Sequence, residues 1–171
     1  MKGSIVKCLS ELVQNQYGNA AWEEILQHAS ELDLLIRPLE DIDDRRVIKI
    51  FASTATILNL SQQDVFDKFG DYWVNTYVPR MYRIFYIRAK NAKQYVLSLN
   101  TVHAHTTASI PNAQPPQFIF TELNAHTVRV DYVSKKNLID LFIGLIKGVS
   151  TYYNTPIGIN KISETRVELI F

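Results

Sequence analysis

The spacing of the apolar residues changes along this chain, and that change constrains the fold more than any single motif. Up to about residue 110, apolar residues recur every three or four positions, which is typical of one face of an α-helix. Pro111, Pro115 and Pro116 follow, and after them come short runs of β-branched and aromatic residues, typical of strands. Helical spacing returns over residues 138–153. This order predicts an α+β fold, with a helical N-terminal part and a C-terminal part built on a sheet.

The helical part divides into amphipathic segments with recognisable starts. Two apolar stripes separated by Gly18 predict the first two helices. The acidic run at residues 40–44 and the single Ser61 each precede a further stripe, so both are interpreted as capping segments and the acidic run is not taken as a metal site. Residues 77–110 predict a short helix and then a long one, with breaks at Pro79 and near Asn91.

Two β-hairpins are predicted in the C-terminal part. Residues 117–123 and 127–134 are joined by Asn124-Ala125-His126, a turn signal, and residues 157–162 pair with residues 166–170. Together they predict a four-stranded antiparallel sheet.

Length and composition indicate one domain. The chain has 171 residues, of which 47% are hydrophobic and 20% charged, so folding can bury a core large enough to enclose a ligand. We expect a single domain over residues 1–171, with a helical subdomain over about 1–60 and an α/β subdomain over about 61–171.

Charge and cysteine content exclude several classes of function. A formal net charge of +1 does not favour nucleic acid or an anionic membrane as a partner. The single Cys8, interpreted as a small core residue, excludes an internal disulfide, a four-cysteine zinc site and covalent haem attachment through two cysteines. The N-terminus has no signal-peptide pattern, and the longest apolar run, residues 141–146, is too short to span a membrane. We therefore expect a cytoplasmic protein.

One histidine is expected to face the core. Residues two apart on a helix point about 200° from each other, so His103 and His105 cannot share a face. His103 is the inward one because it shares a stripe with Val96, Leu99 and Ile110. The residues alone leave two interpretations open, a hydrogen-bonded core histidine and a ligand to a cofactor.

A row of donors is expected on the second predicted strand. The period of two places Tyr132, Ser134 and Lys136 on one face, where a phenol, a hydroxyl and an ammonium can all donate to carboxylates. The alternative is a solvated edge strand. An apolar pocket with one inward imidazole and such a donor row is what a non-covalently held haem requires.

Several short segments, in their order and spacing, resemble those of a known protein family. They are Met1-Lys2-Gly3, Tyr17-Gly18, Pro38-Leu39-Glu40-Asp41-Ile42-Asp43-Asp44, Phe69-Gly70, Val102-His103, Pro115-Pro116, Tyr132-x-Ser134-x-Lys136 and Gly144-Leu145-Ile146-x-Gly148. Over nearly all of its length the chain resembles the H-NOX family of haem nitric oxide/oxygen binding domains, which also supplies the haem domain of soluble guanylate cyclase.

The resemblance implies a role for each of ten residues around a haem b held without covalent bonds between the two subdomains. His103 is implied as the axial iron ligand and the only metal ligand. The residues implied to hold the propionates are Tyr132, Ser134 and Lys136. Those implied to press on the macrocycle and bend it are Ile5 and Pro116, and the distal wall is implied to contain Ile5, Leu9, Trp73, Leu141 and Leu145.

The sequence departs from the family pattern at Lys136, where the motif has arginine. An ammonium is a mobile, strongly hydrated point charge, whereas a planar guanidinium bridges two acceptors at fixed geometry. This leaves open a haem-free regulatory module, or one that binds another hydrophobic carboxylate.

Leu141 decides which gas is expected. Members of the family that hold oxygen carry a distal tyrosine at the matching position, so Leu141 and its apolar neighbours favour nitric oxide and carbon monoxide at five-coordinate ferrous haem. A donor from Trp73 or Tyr72 would instead make the protein an oxygen sensor.

The expected function is that of a sensor without catalysis of its own, because no distal acid/base pair for O–O cleavage is present. The resemblance implies a histidine kinase, a cyclic-dinucleotide enzyme, a chemotaxis receptor or a cyclase as the output partner.

Overall fold

The computed structural model describes residues 1–108 and 113–171, so the predicted positions of Ile110 and Pro111 lie outside the described residues. Its helices are α1 (Gly3–Tyr17), α2 (Asn19–His28), α3 (Asp44–Ile57), α4 (Gln62–Tyr72), α5 (Pro79–Arg88), α6 (Ala92–Leu97), α7 (Leu99–Thr107) and α8 (Ile139–Tyr152). A π-helical turn, Trp73–Tyr77, joins α4 to α5. The strands are β1 (Gln117–Glu122), β2 (Thr127–Val133), β3 (Gly158–Ser163) and β4 (Arg166–Ile170).

The sheet confirms the predicted fold class. Its order is β1-β2-β4-β3 and every pair is antiparallel, so the two predicted hairpins meet through β2 and β4. Val128, Val130 and Tyr132 alternate with more exposed residues along β2 and point to the core. Phe118 on β1 packs on Phe142 of α8, with ring centroids 4.8 Å apart. The buried face of the sheet is therefore covered by α8.

Helix starts follow the capping chemistry predicted for them. The Asp43 side chain accepts a hydrogen bond from the Arg45 backbone N–H at the start of α3. Ser61 and Asp64 form a capping box at the start of α4. The acidic run is thus a helix start, as predicted.

The close packing of α4 against α8 depends on three glycines. A Cβ atom at Gly70 would overlap the Gly144 carbonyl, one at Gly144 would overlap the Phe66 carbonyl, and one at Gly148 would overlap the Gly70 carbonyl. The two helix backbones consequently touch where they cross. This explains why two of the family-like segments contain glycine at these positions.

A single long helix was predicted after Asn91, but the structure has two short helices there, so this prediction is wrong in that respect. α6 ends at Leu97 and α7 begins at Leu99, and the Ser98 hydroxyl donates to the Tyr95 carbonyl at 2.7 Å. A serine that bonds to a carbonyl of the preceding turn competes with the helical hydrogen bonds. The helix that carries His103 is therefore short.

The chain's N-terminus connects distant elements. The Met1 nitrogen donates to the Asp44 side chain at the start of α3, at 2.5 Å. The Lys2 ammonium donates to the Thr106 carbonyl in the last turn of α7. Within the described part of the chain, no helix is long and apolar enough to cross a membrane.

Candidate functional site

A largely apolar cavity of about 250 Å³ lies between the sheet, α8 and the helices. Its wall is made of aliphatic and aromatic side chains from α1, α4, the π-helical turn, α5, α6, α7, β1, β2 and α8. Eight of the ten predicted site residues line it: Ile5, Trp73, His103, Pro116, Tyr132, Lys136, Leu141 and Leu145. Leu9, which is fully buried, and Ser134 are outside this lining.

His103 presents one ring nitrogen to a fixed partner. Its Nδ1 lies 3.3 Å from the Pro116 carbonyl oxygen, so an Nδ1–H donates to that carbonyl and Nε2 keeps its lone pair. Burial lowers the pKa of His103, the Pro116 carbonyl partly opposes this, and the nearby Lys2 ammonium adds to it. The imidazole is therefore neutral at physiological pH, which is the form that binds a metal.

His105 has a different environment. It is exposed and does not line the cavity, and its ring packs 6.0 Å from the Phe85 ring. His103 therefore faces the cavity and His105 does not, as their two-residue spacing predicts.

Tyr132, Ser134 and Lys136 are all less exposed than the residues between them, but the prediction that one strand carries all three is wrong. β2 ends at Val133, and the following residues form a turn in which the Ser134 hydroxyl accepts from the Lys136 backbone N–H at 3.2 Å. A serine that bonds its own backbone two residues on favours a turn over a strand. Tyr132 and Lys136 both reach the cavity wall, but the turn rather than the pleat of a strand brings Lys136 there.

Tyr132 is a protonated phenol at the cavity wall. Burial raises the pKa of Tyr132, and the neighbouring Ser134 hydroxyl partly opposes this. Its O–H remains a donor at physiological pH.

The Lys136 ammonium lies 3.4 Å from a carboxylate oxygen of Asp44. The same Asp44 oxygen accepts from the Met1 nitrogen. Lys136, Lys2 and Met1 all line the cavity, so three cationic groups surround one edge of it, with Asp41 and Asp44 nearby. This edge is suited to a ligand with carboxylate groups.

The wall that contains Leu141 and Leu145 is aliphatic and aromatic, and Trp73 brings an indole N–H to it. The two leucines lie on α8, and Trp73 from the π-helical turn stacks between Phe69 and Tyr77 with ring centroids 5.6 and 5.5 Å away. The Tyr72 hydroxyl accepts from the Asn15 side chain at 2.8 Å and does not line the cavity. Tyr72 is thus not a donor into this cavity.

Comparison with known proteins agrees with this geometry. The family model for haem-NO-binding domains matches residues 2–161. The chain belongs to this family, the H-NOX domains.

Two solved structures and one curated relative support the assignment. A variant of Cs H-NOX has a TM-score of 0.88 and 26% identity, with 100% of this chain and 96% of that chain covered. An oxygen binding H-NOX domain related to soluble guanylate cyclases, solved as its oxygen complex, has a TM-score of 0.83 and 27% identity over 100% and 95% of the two chains. Soluble guanylate cyclase gcy-37 of Caenorhabditis elegans is 28% identical over 98 residues, which are 56% of this chain and 14% of the cyclase.

H-NOX domains bind haem and sense gases, and the described residues of this one fit that cofactor. Among the residues that the structure describes, no group of three or more histidine, cysteine or acidic side chains could hold a bare metal ion. A single neutral imidazole would suit an iron whose other ligands are supplied by a porphyrin rather than by the protein. The apolar wall suits the macrocycle, and the cationic edge suits its carboxylates.

Sequence reasoning missed the aromatic part of the H-NOX cavity. Tyr82, Phe85 and Tyr86 line it from α5, and Tyr95 lines it from α6. Their spacing of three and four positions along α5 is a helical stripe, which could have identified them as inward-facing. A stripe does not reveal whether it faces solid core or a cavity.

Proposed function

We propose that this H-NOX domain holds haem b through His103 and senses nitric oxide, with carbon monoxide as a second ligand. The observation that carries the proposal is the His103 imidazole on the wall of an apolar cavity, with its Nδ1 held by the Pro116 carbonyl. Haem iron, when bound, would supply the open coordination position for a diatomic gas.

His103 would be the only protein ligand to the iron. The hydrogen bond from Nδ1 to Pro116 fixes the tautomer and leaves Nε2 for the metal, as carbonyl partners do for metal-binding histidines in general. Ile5 and Pro116 both lie on the cavity wall, where they would press on the macrocycle.

Tyr132 and Lys136 would hold the propionates, and the Ser134 hydroxyl beside Tyr132 would support that phenol. Lys136 already has a carboxylate partner in Asp44, at 3.4 Å. A propionate would therefore share or replace a contact that Lys136 makes within the protein, which favours weaker anchoring than an unpaired cation would give.

The choice of gas would depend on Leu141. Bound oxygen accumulates negative charge and gains from a hydrogen bond, whereas nitric oxide and carbon monoxide bind ferrous iron well in apolar surroundings. Leu141 and Leu145 offer no donor, and the Tyr72 hydroxyl is engaged with Asn15 outside the cavity. Trp73 lines the cavity and carries an indole N–H, so it is the residue through which an oxygen complex would be stabilised if one forms.

The output would be a movement of α7 relative to the N-terminal helices. α7 carries His103, and its last turn is tied to the start of the chain through Lys2 and Thr106. A change in how the imidazole is held would act on that contact, so a ligation event would bias a two-state element. A cyclase, a histidine kinase, a cyclic-dinucleotide enzyme or a chemotaxis receptor would read this change. The domain would have no catalysis of its own.

The absorbance spectrum of the purified, reduced protein tests the proposal. We expect a haem spectrum that changes on addition of nitric oxide or carbon monoxide and forms no persistent oxygen complex in air. A stable oxygen complex would identify an oxygen sensor, and failure to take up haem would favour a haem-free module, for which the Lys136–Asp44 contact is the supporting observation.

A further inference from the structure

Positive charge is concentrated in one segment of the chain. No aspartate or glutamate lies between Asp71 and Glu122, although the whole chain has 17 acidic residues and a formal net charge of only +1. The basic residues in this interval fall on α5, on the connection that follows it and on the first turn of α6. They are Arg80, Arg83, Arg88, Lys90 and Lys93.

The exposed side of α5 combines cationic and apolar side chains. Phe85 and Tyr86 lie on the other side, where Phe85 lines the cavity. Ile84 and Ile87 have 46% and 63% of their surface exposed, and an exposed arginine lies next to each of them. Four exposed residues thus lie within about 140° of one another around the helix axis: Arg83, Ile84, Ile87 and Arg88. We call these four residues, together with the exposed Lys90, the α5 surface.

The cations of the α5 surface are not neutralised from within the described part of the chain. Two ion pairs border the surface, Arg80 with Glu11 at 2.9 Å and Lys93 with Glu122 at 2.6 Å. Three cations of the surface itself lie within ion-pair distance of no carboxylate among the described residues: Arg83, Arg88 and Lys90. Their charges are therefore available to a partner.

The arrangement favours an acidic protein segment over the other polyanions. An amphipathic helix that binds a membrane places its apolar side in the lipid, but the apolar side of α5 already faces the interior and the cavity. Nucleic acid is bound through a row of phosphate contacts, which Ile84 and Ile87 would interrupt. Cations that border an apolar pair are instead typical of a protein interface, with a charged rim around an apolar centre.

We propose that the α5 surface is a docking site for an acidic segment of a partner protein, whose carboxylates pair with its cations and whose apolar side chains cover Ile84 and Ile87. This docking does not depend on the proposed function, because no residue of the α5 surface lines the cavity. Only the thickness of α5, about 10 Å, separates the occupant from the cavity.

The probe is a fluorescein-labelled helical peptide of about four turns, in which glutamates flank a pair of leucines on one face. The same peptide with glutamine in place of each glutamate is the control ligand. Binding to the full chain is measured by fluorescence anisotropy at low salt. Phosphatidylserine vesicles are the second probe, because they carry negative charge without a peptide.

Three double variants, all at exposed positions, separate docking from general attraction. Arg83→Glu/Arg88→Glu should weaken binding of the glutamate peptide by about tenfold or more, because two attractions become repulsions. Ile84→Ser/Ile87→Ser should weaken it by about fivefold at unchanged charge, because the apolar contact is lost. Lys49→Glu/Lys135→Glu changes the net charge as the arginine variant does, but outside the α5 surface, and should stay within about twofold of the parent.

The proposal is overturned if the parent binds the glutamate peptide no more tightly than the glutamine peptide. Equal losses in the arginine and lysine variants, or no loss in the isoleucine variant, would also overturn it, because either result indicates attraction by net charge alone. Binding to the vesicles but not to the peptide, abolished by Arg83→Glu/Arg88→Glu, would identify the surface as a membrane contact instead.

Discussion

His103 is the residue on which the proposed function depends most directly. Replacing it with glycine should abolish haem binding or make it depend on added imidazole, because the described residues place no other histidine on the cavity wall. His105→Ala should leave the absorbance spectrum unchanged, since His105 is exposed. If His105→Ala abolished the ferrous spectrum and His103→Gly did not, the assignment of the axial ligand would be wrong.

Leu141 controls oxygen binding in the proposed function. Leu141→Tyr should stabilise an oxygen complex by about 1.5 to 3 kcal/mol, which is roughly 10- to 100-fold in affinity, if the phenol reaches the charged ligand. Leu141→Phe is the matched control, because it adds the ring without the hydroxyl and should gain nothing. The measurement is the oxygen dissociation constant of each reduced variant. Equal affinities for the two variants would contradict the electrostatic argument.

In the proposed function, Lys136 determines how firmly the haem propionates are held. Lys136→Arg should slow the transfer of haem to an acceptor protein, because a guanidinium can contact Asp44 and a propionate together. The added charge-assisted hydrogen bond is worth about 1 to 3 kcal/mol. Lys135→Arg, on the exposed neighbour, should leave the transfer rate at the parent value. Faster transfer from Lys136→Arg than from the parent would count against this role.

At the scale of elements, local chemistry explains which predictions succeeded. The Asp43 cap, the Ser61 cap and both hairpins depend on contacts within a few residues, and all were predictable. The turn after Val133 was not predicted. The alternation typical of a strand continues in the sequence, whereas in the structure the Ser134 hydroxyl accepts a hydrogen bond from the Lys136 backbone N–H and favours a turn. The break at Ser98 was missed for a similar reason. A serine is compatible with a continuous helix, and the sequence does not reveal that its hydroxyl donates to the Tyr95 carbonyl.

The crossing of α4 and α8 gives a prediction about stability. Alanine is normally favoured over glycine in a helix by about 1 kcal/mol, yet a Cβ atom at Gly144 would overlap the Phe66 backbone. Gly144→Ala should therefore lower the free energy of unfolding, by about 1 to 3 kcal/mol. Urea unfolding measures this. Gly158→Ala is the control, because its Cβ would meet only the Ile170 side chain. An increase in stability for Gly144→Ala would show that the helices can separate at no cost.

At the scale of the whole molecule, the aromatic wall of the cavity could not be predicted. The apolar stripes of α5 and α6 were visible in the sequence, but their meeting with α8 around open space depends on how the helices and the sheet pack together. The same limit applies to Leu9, which was expected in the distal wall and is fully buried away from the cavity lining.

The Lys2 contact links the start of α1 to the end of α7 and makes a prediction about motion. Lys2→Met removes the ammonium that caps the last turn of α7 at Thr106. Amide hydrogens of α7 should then exchange about fivefold faster, for a lost hydrogen bond of about 1 kcal/mol. Lys7→Met is the control, because Lys7 makes only a 3.9 Å pair with Glu11 in its own helix. Unchanged exchange in Lys2→Met would show that α7 is held by other contacts.

The three glycines at the crossing of α4 and α8 also determine which parts of the molecule can move. Because the two backbones touch there, sliding one helix along the other would bring backbone atoms of the two helices into overlap. Leu141 and Leu145 on α8 and the turn that follows α4 should therefore move together as one rigid unit. In the proposed function, a displacement of His103 would be taken up by the short α7 and the break at Ser98 rather than at this crossing. The crossing of α4 and α8 would then stay fixed while α7 moves, and this fixed crossing is the part of the domain that requires glycine.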